Sequence, residues 1–216
     1  MTQFYCISLE ERSDRRERLK EIIQKLDIPL EWWIVKKHPD GGIYGCFESH
    51  IAIWNKMAKS NYPDDELVVI MEDDLCITEP VTSKEFYTLL KKCRQLLKEN
   101  KVDIIHLGHL TQTLVGKIHS STRWSFFRGK CTFAHLYAIT VGKIREHINT
   151  IKRGYGQHID IVMCQKLQQI LLLPNVFQQR DLLDTDNQWD NDADQFYRDL
   201  AIIRNKHLPA LLTTFH

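Results

Sequence analysis

Residues 67–75 read LVVIMEDDL. Five apolar residues, Leu67 to Met71, run straight into Glu72, Asp73 and Asp74. A continuous Val- and Ile-rich run of this length predicts a strand buried on both faces. Three carboxylates at its end are hard to explain as packing. Crowded carboxylates repel, and one is pushed toward protonation unless a cation sits between them. On a strand, residues i and i+2 point the same way, so Glu72 and Asp74 are expected to converge on one ligand. Hard oxygen ligands suit Mg²⁺ or Mn²⁺. In open α/β sheets ligands bind at the carboxyl ends of strands. The competing reading is a solvated acidic turn after a core strand.

Outward from this stretch, the pattern alternates strand and helix. Residues 4–9 read as a first strand. Leu19, Ile22, Ile23 and Leu26 form one helical stripe after Ser13. Residues 30–35 predict a second strand, and Pro39, Gly41, Gly42 and Gly45 a loop. Phe47, Ile51, Trp54 and Ala58 mark the next helix, and Phe86, Leu89, Leu90, Cys93 and Leu97 another. Residues 102–107 predict a short strand, 111–130 a long loop with room for a hairpin, and 132–141 a strand. Helices are expected over 142–153 and 159–168, and a strand over 170–173 ended by Pro174. An acidic loop over 181–194 and a helix over 195–205 close the chain. This alternation argues an α/β fold with a mostly parallel sheet. With 216 residues and no repeat or linker, a single domain over 1–216 is expected.

Composition narrows the function. Basic and acidic residues nearly balance, 29 against 28, so no nucleic-acid-binding surface is expected. No apolar run approaches the roughly 20 residues of a transmembrane segment, and the N-terminus has no signal-peptide pattern. The expected location is cytoplasmic. Six scattered cysteines without a CxxC pair read as reduced thiols. Dinucleotide and P-loop fingerprints are absent, as are H-E-x-x-H and G-x-S-x-G. His106 and His109, three apart at a strand end, read as core or surface histidines rather than metal ligands.

The first strand ends in Ser8-Leu9, followed by Glu10, Glu11, Arg12, Ser13, Asp14 and Arg15. Arginines at a helix start just past a strand suit phosphate recognition, through helix-end donors and forked charge. The competing reading is a solvated helix face in which Arg15, Arg16, Arg18 and Lys20 pair with Glu17 and Glu21. A cation-bound diphosphate needs both an acidic and a basic half, so the two clusters support each other.

Four segments, in order, resemble glycosyltransferase family 25, which includes lipooligosaccharide and collagen hydroxylysine galactosyltransferases. Ile7-Ser8-Leu9 with Arg12-Ser13-Asp14-Arg15 is similar to the family's opening strand and R-x-D-R. Gly45-Cys46-Phe47-Glu48-Ser49-His50 is similar to its G-C-x-x-S-H, and Ile70 to Asp74 to its E-D-D. The fourth is Asp103-Ile104-Ile105-His106-Leu107-Gly108, followed by the strand from Ala134 to Ile139. The resemblance spans roughly residues 3 to 180. It implies a GT-A-like fold, a UDP-type nucleotide-sugar donor, a divalent cation (Mn²⁺ or Mg²⁺), and inversion at the sugar carbon.

On that resemblance, Glu72 and Asp74 hold the metal and Asp73 touches the ribose. Ser8, Leu9, Arg12 and Arg15 lie near the nucleotide, and Ser49 and His50 complete the donor pocket. His50 reads equally as a helix-cap partner or core imidazole. Inversion needs a base within reach of the attacking hydroxyl. The expectation is Asp160, in Gly156-Gln157-His158-Ile159-Asp160 at a helix start, where His158 replaces the family's proline. Capping alone would also explain an acid there. The acceptor is a hydroxyl on a glycan or a hydroxylated protein. Two rival readings remain: a metal-dependent phosphohydrolase or nucleotidyltransferase on the same carboxylates, and a non-catalytic glycan-binding module.

Overall fold

The computed structural model describes residues 2–99, 102–154 and 157–179. The expected acidic loop over 181–194 and helix over 195–205 lie outside them.

The chain opens with β1 (Thr2–Leu9), α1 (Ser13–Leu26), β2 (Leu30–Val35), α2 (Gly42–Ala58) and β3 (Leu67–Glu72). Then come β4 (Leu75–Ile77), α3 (Ser83–Glu99), β5 (Ile104–Ser120) and β6 (Ser125–Thr140). It continues with α4 (Val141–His147), α5 (Ile159–Lys166), β7 (Gln169–Leu173) and β8 (Phe177–Gln179). Six strands form one sheet in the order β2-β1-β3-β6-β5-β7. The pairings make β6 run against β3 and β5, while β1–β2, β1–β3 and β5–β7 are parallel. Five of the six strands therefore point one way, the mostly parallel sheet the alternation predicts.

β3 explains why its sequence is apolar without a break. Leu67, Val69 and Met71 pack into one core layer, with Leu19 and Leu26 of α1 and Phe86, Leu89, Leu90 and Cys93 of α3. Val68 and Ile70 face the opposite layer, with Phe47, Ile53, Trp54 and Met57 of α2 and Ile144, Val162 and Met163 of α4 and α5. Alternate side chains leave opposite faces, and both faces are covered. α1 thus lies on one face and α2 on the other. Connections that leave β1 and β2 toward opposite faces open a crevice at the carboxyl ends of these strands.

Three expectations need correction. Residues 111–130 are not a loop: β5 and β6 form a long hairpin that turns at 121–124. The outer half of β5 is largely exposed and its register shifts repeatedly, so it carries no clean apolar alternation to read. The helix expected over 142–153 is only Val141–His147, and the one expected over 159–168 ends at Lys166. There Lys130 Nζ donates to the carbonyls of Cys164 and Leu167, and Asp103 takes the Gln168 amide at 2.7 Å. The chain after Glu72 also holds a small two-stranded sheet, β4 with β8, that the sequence did not suggest.

Helix α3 shows how a local signal fixes an element. Thr82 N–H donates to Glu85 Oε2 at 2.8 Å and Glu85 N–H to Thr82 Oγ1 at 3.2 Å, a reciprocal capping box. Thr82→Ala is expected to cost about 1 kcal/mol, read as a lower urea midpoint at unchanged slope. All six cysteines are free thiols, as their spacing predicts.

Candidate active site

Every element that ends at the crevice contributes to one cleft. β1 brings Ser8 and Leu9, α1 brings Arg15, and the segment after β2 brings Lys37 and His38. The start of α2 brings Gly45, Cys46 and Ser49; the end of β3 brings Glu72, Asp73 and Asp74; β8 brings Gln179. The cleft opens to solvent, and the space between its walls, open solvent included, is about 670 Å³. Gly41, at φ +102° just before α2, makes the bend that aims this helix start at the cleft.

The acidic cluster does not behave as a continued strand. β3 ends at Glu72, and Asp73-Asp74 form a turn. The expected i, i+2 convergence of Glu72 and Asp74 therefore does not arise from strand alternation. All three carboxylates line the cleft, but with different partners.

Arg15 is buried and places Nη1 at 3.1 Å from Asp73 Oδ1 and 4.0 Å from Asp74 Oδ2. Gln179 Nε2 donates to Asp74 Oδ2 at 2.7 Å. Asp73 Oδ2 and Asp74 Oδ1 are buried without a hydrogen-bond partner among the described residues. Burial pushes Asp74 up to about 7, helped by the Glu72 charge and opposed by Arg15 and Gln179. Burial also raises Asp73, against the pull of Ser8 and Arg15. Two orphaned carboxylate oxygens on groups reluctant to ionise fit a hard divalent cation.

Glu72 turns to α2. His50 Nε2 lies 3.2 Å from Glu72 Oε1, and the Cys46 thiol donates to the same oxygen at 3.7 Å. Burial, the largest single influence, would raise Glu72, but the His50 hydrogen bond and the further pull of His50, His135 and the Cys46 thiol together outweigh it, so its carboxyl lies below the ordinary range. Cys46, His50 and Glu72 are close enough to share an ion. Burial, then the charges of Glu72 and Asp160, push the Cys46 thiol well up.

The other expected site residues divide between the cleft and its surroundings. Ser8, Leu9, Arg15 and Ser49 do line the cleft, Ser49 Oγ donating to the Gly45 carbonyl at 2.6 Å. Arg12 is not among the lining residues; its Nε pairs with Asp14 at 3.1 Å and holds that carboxyl at about 2. His50 is wholly buried behind Glu72 rather than in the cleft. Asp160 is also absent from the lining, and its two oxygens accept the amides of Phe133 at 2.7 Å and Ile161 at 2.8 Å.

Sequence reasoning missed Arg16, Gln179 and Tyr137. Arg16 Nη1 donates to Ser8 Oγ at 2.8 Å and Nη2 to the Glu10 carbonyl at 2.9 Å, pinning the turn after β1. In the sequence it looked like one more helix-face charge. The histidines of β5 stay structural: His109 Nε2 meets the Leu172 carbonyl at 3.0 Å, and burial lowers it to about 4. Gly108 is forced, because a Cβ there would lie 2.4 Å from His135 Nε2 and 2.5 Å from the Phe177 carbonyl.

Residues 36–159 match the family described as glycosyltransferase family 25 (LPS biosynthesis protein), more than half of the chain. This chain belongs to glycosyltransferase family 25. It is therefore a glycosyltransferase, and Gly45, Cys46, Ser49 and Glu72 to Asp74, all within the matched residues, line the cleft. No curated protein sequence matches it. Among solved structures it is similar to A197 from STIV, at 14% identity and TM-score 0.47 over 79% of this chain and 80% of that one. It is also similar to a mutant of Drosophila β1,4-galactosyltransferase 7 in complex with manganese, UDP-Gal and xylobiose. That match has 11% identity and TM-score 0.45 over 91% of this chain and 79% of that one. Among the described residues of this family 25 transferase, no helix is long and apolar enough to cross a membrane.

Proposed function

We propose that this glycosyltransferase, acting as one domain, moves a hexose from a UDP-type nucleotide sugar to a hydroxyl on a glycan or protein, inverting the anomeric carbon. The observation that carries the reading is the pairing of a buried guanidinium, Arg15, with carboxylates that keep two orphaned oxygens in one cleft. A diphosphate needs the cationic half, and its counter-cation needs the anionic half.

Asp73 and Asp74 are the residues that would hold Mn²⁺ or Mg²⁺. A bound divalent cation supplies positive charge against the departing diphosphate. Arg15 holds both aspartates in place and adds fixed positive charge beside them. Lys37 and His38, following β2, face the cleft where the rest of the nucleotide would extend. Glu72 offers a fixed carboxylate to the sugar or ribose hydroxyls.

The proposed base is Asp160. Two backbone amides fix its carboxylate, and each oxygen keeps a lone pair for the proton of the acceptor hydroxyl. Its charge helps to raise the thiol of Cys46, a residue of the cleft lining, which supports this role. The acceptor oxygen bonds to the anomeric carbon as the bond to the diphosphate oxygen breaks. The hydroxyl proton passes to Asp160, and the nucleoside diphosphate departs intact.

The test is a panel of nucleotide sugars with Mn²⁺, with and without chelator, and product analysis by mass spectrometry. Free nucleoside diphosphate and a moved or released hexose, both lost with chelator, are expected. Cleavage within the diphosphate would replace this reading with phosphohydrolysis. Binding without turnover would reduce the fold to a recognition module.

A further inference from the structure

A line of polar groups crosses the core layer between α2 and the sheet and ends at the cleft. Trp54 Nε1 donates to Tyr137 Oη at 3.1 Å, and Tyr137 Oη lies 2.9 Å from His50 Nδ1. His50 Nε2 lies 3.2 Å from Glu72 Oε1. Trp54, Tyr137 and His50 are essentially fully buried, inside a layer that is otherwise apolar.

Proton counting assigns each hydrogen. Indole N–H can only donate, so Tyr137 Oη accepts from Trp54. Tyr137 then has one proton to give, and His50 Nδ1 is its partner. A neutral imidazole that accepts at Nδ1 carries its hydrogen on Nε2 and donates it to Glu72. The Cys46 thiol donates to the same Glu72 oxygen, at 3.7 Å. Glu72 Oε1 is thereby anchored twice. Its side chain is 25% exposed, and it lines the cleft, which leaves Oε2 as the oxygen offered there. Phe and Leu would fill the same core positions without the cost of satisfying buried polar atoms. The line is explained by what it holds at its end.

We infer that Tyr137 and Trp54 are positioning residues: through the Nε2–H tautomer of His50 they fix Glu72 Oε1 and set its other oxygen toward the bound donor. The inference rests on the cleft being the donor site. It moves His50 out of the set that touches the nucleotide sugar and makes it the link between a buried hydroxyl and a cleft carboxylate.

The test uses Tyr137→Phe in the full chain, which keeps the ring and removes the hydroxyl. A ¹⁵N-resolved imidazole spectrum is expected to show His50 as the Nε2–H tautomer in the parent and as another tautomer or a mixture in the variant. With the donor found in the panel above, kcat is expected to fall about tenfold or more, the usual cost of losing an outer-shell partner. The donor KM should stay within about threefold, because the contacts of Arg15, Asp73 and Asp74 are untouched. Phe86→Leu, in the opposite core layer, serves as a stability control. It should lower the melting temperature while leaving the His50 spectrum and kcat as they were. An Nδ1–H tautomer in the parent would overturn the inference. So would parental kcat in Tyr137→Phe, or an equal kcat loss in Phe86→Leu. If no nucleotide sugar is turned over, the proposed function fails separately, and the His50 spectrum still decides the hydrogen-bond assignment.

Discussion

Asp74→Asn is expected to abolish measurable transfer and at the same time to make the metal-free protein more stable. The two effects have one cause. Asp74 is buried at the turn after β3, and burial with the Glu72 charge raises its carboxyl to about 7. An acid whose folded pKa lies above its unfolded value holds its proton more tightly when folded. Ionising it therefore costs stability, from about pH 4 upward, and the cost levels off above about pH 7. The gap between 3.8 and about 7 corresponds to roughly 4 kcal/mol as an upper bound. Asparagine cannot ionise and escapes the penalty. In chelator at pH 8 the variant should melt several degrees higher than the parent, and near pH 4 the two should converge. The activity loss should be on the order of a hundredfold or more, since removing a charge that acts on the transition state costs several kcal/mol. A variant that melts lower at pH 8, or that still transfers sugar at near-parental rate, would contradict the assignment. A site that trades stability for charge is the expected signature of function.

Arg15→Leu is expected to have the largest effect on stability. Its guanidinium is buried against Asp73 at 3.1 Å and Asp74 at 4.0 Å. Removing one side of a buried ion pair leaves uncompensated charge, at a cost of about 3–5 kcal/mol. Urea unfolding at pH 8 measures it directly. Asp73→Asn added to Arg15→Leu should recover part of the loss, because the stranded carboxylate is then gone. A loss below about 1 kcal/mol would mean that Arg15 is solvated in solution and does not balance the acidic cluster. Binding of UDP with Mn²⁺ should be lost in Arg15→Leu and stay lost in the double variant, since no charge is restored.

What the sequence makes legible here follows from how local each signal is. The two-sided burial of β3 shows as an unbroken apolar run because each of its faces meets a helix layer. α1, α2 and α3 show as stripes for the same reason. The acidic cluster stands out because three carboxylates after such a run have no packing role. What stays hidden depends on pairing across long separations. Gln179 reaches Asp74 only because β8 docks on β4, 105 residues away in sequence. Tyr137 reads as one more residue of a strand, and its hydroxyl matters only because α2 brings His50 and Trp54 to it. Arg12 and Arg15 look equivalent in R-S-D-R, yet the fold buries one and ties the other to Asp14. The hairpin over β5 and β6 stays hidden because the outer half of β5 is largely exposed and its register shifts repeatedly, which leaves no alternation to read.

The most direct measurement is Mn²⁺ binding followed by electron paramagnetic resonance, with UDP present, in the parent and in Asp74→Asn. The signal of free Mn²⁺ is expected to fall as about one ion per chain is taken up by the parent, and to persist in the variant. Mn²⁺ left free by the parent, or bound equally by Asp74→Asn, would show that the carboxylates at the end of β3 do not hold the cation of a sugar nucleotide.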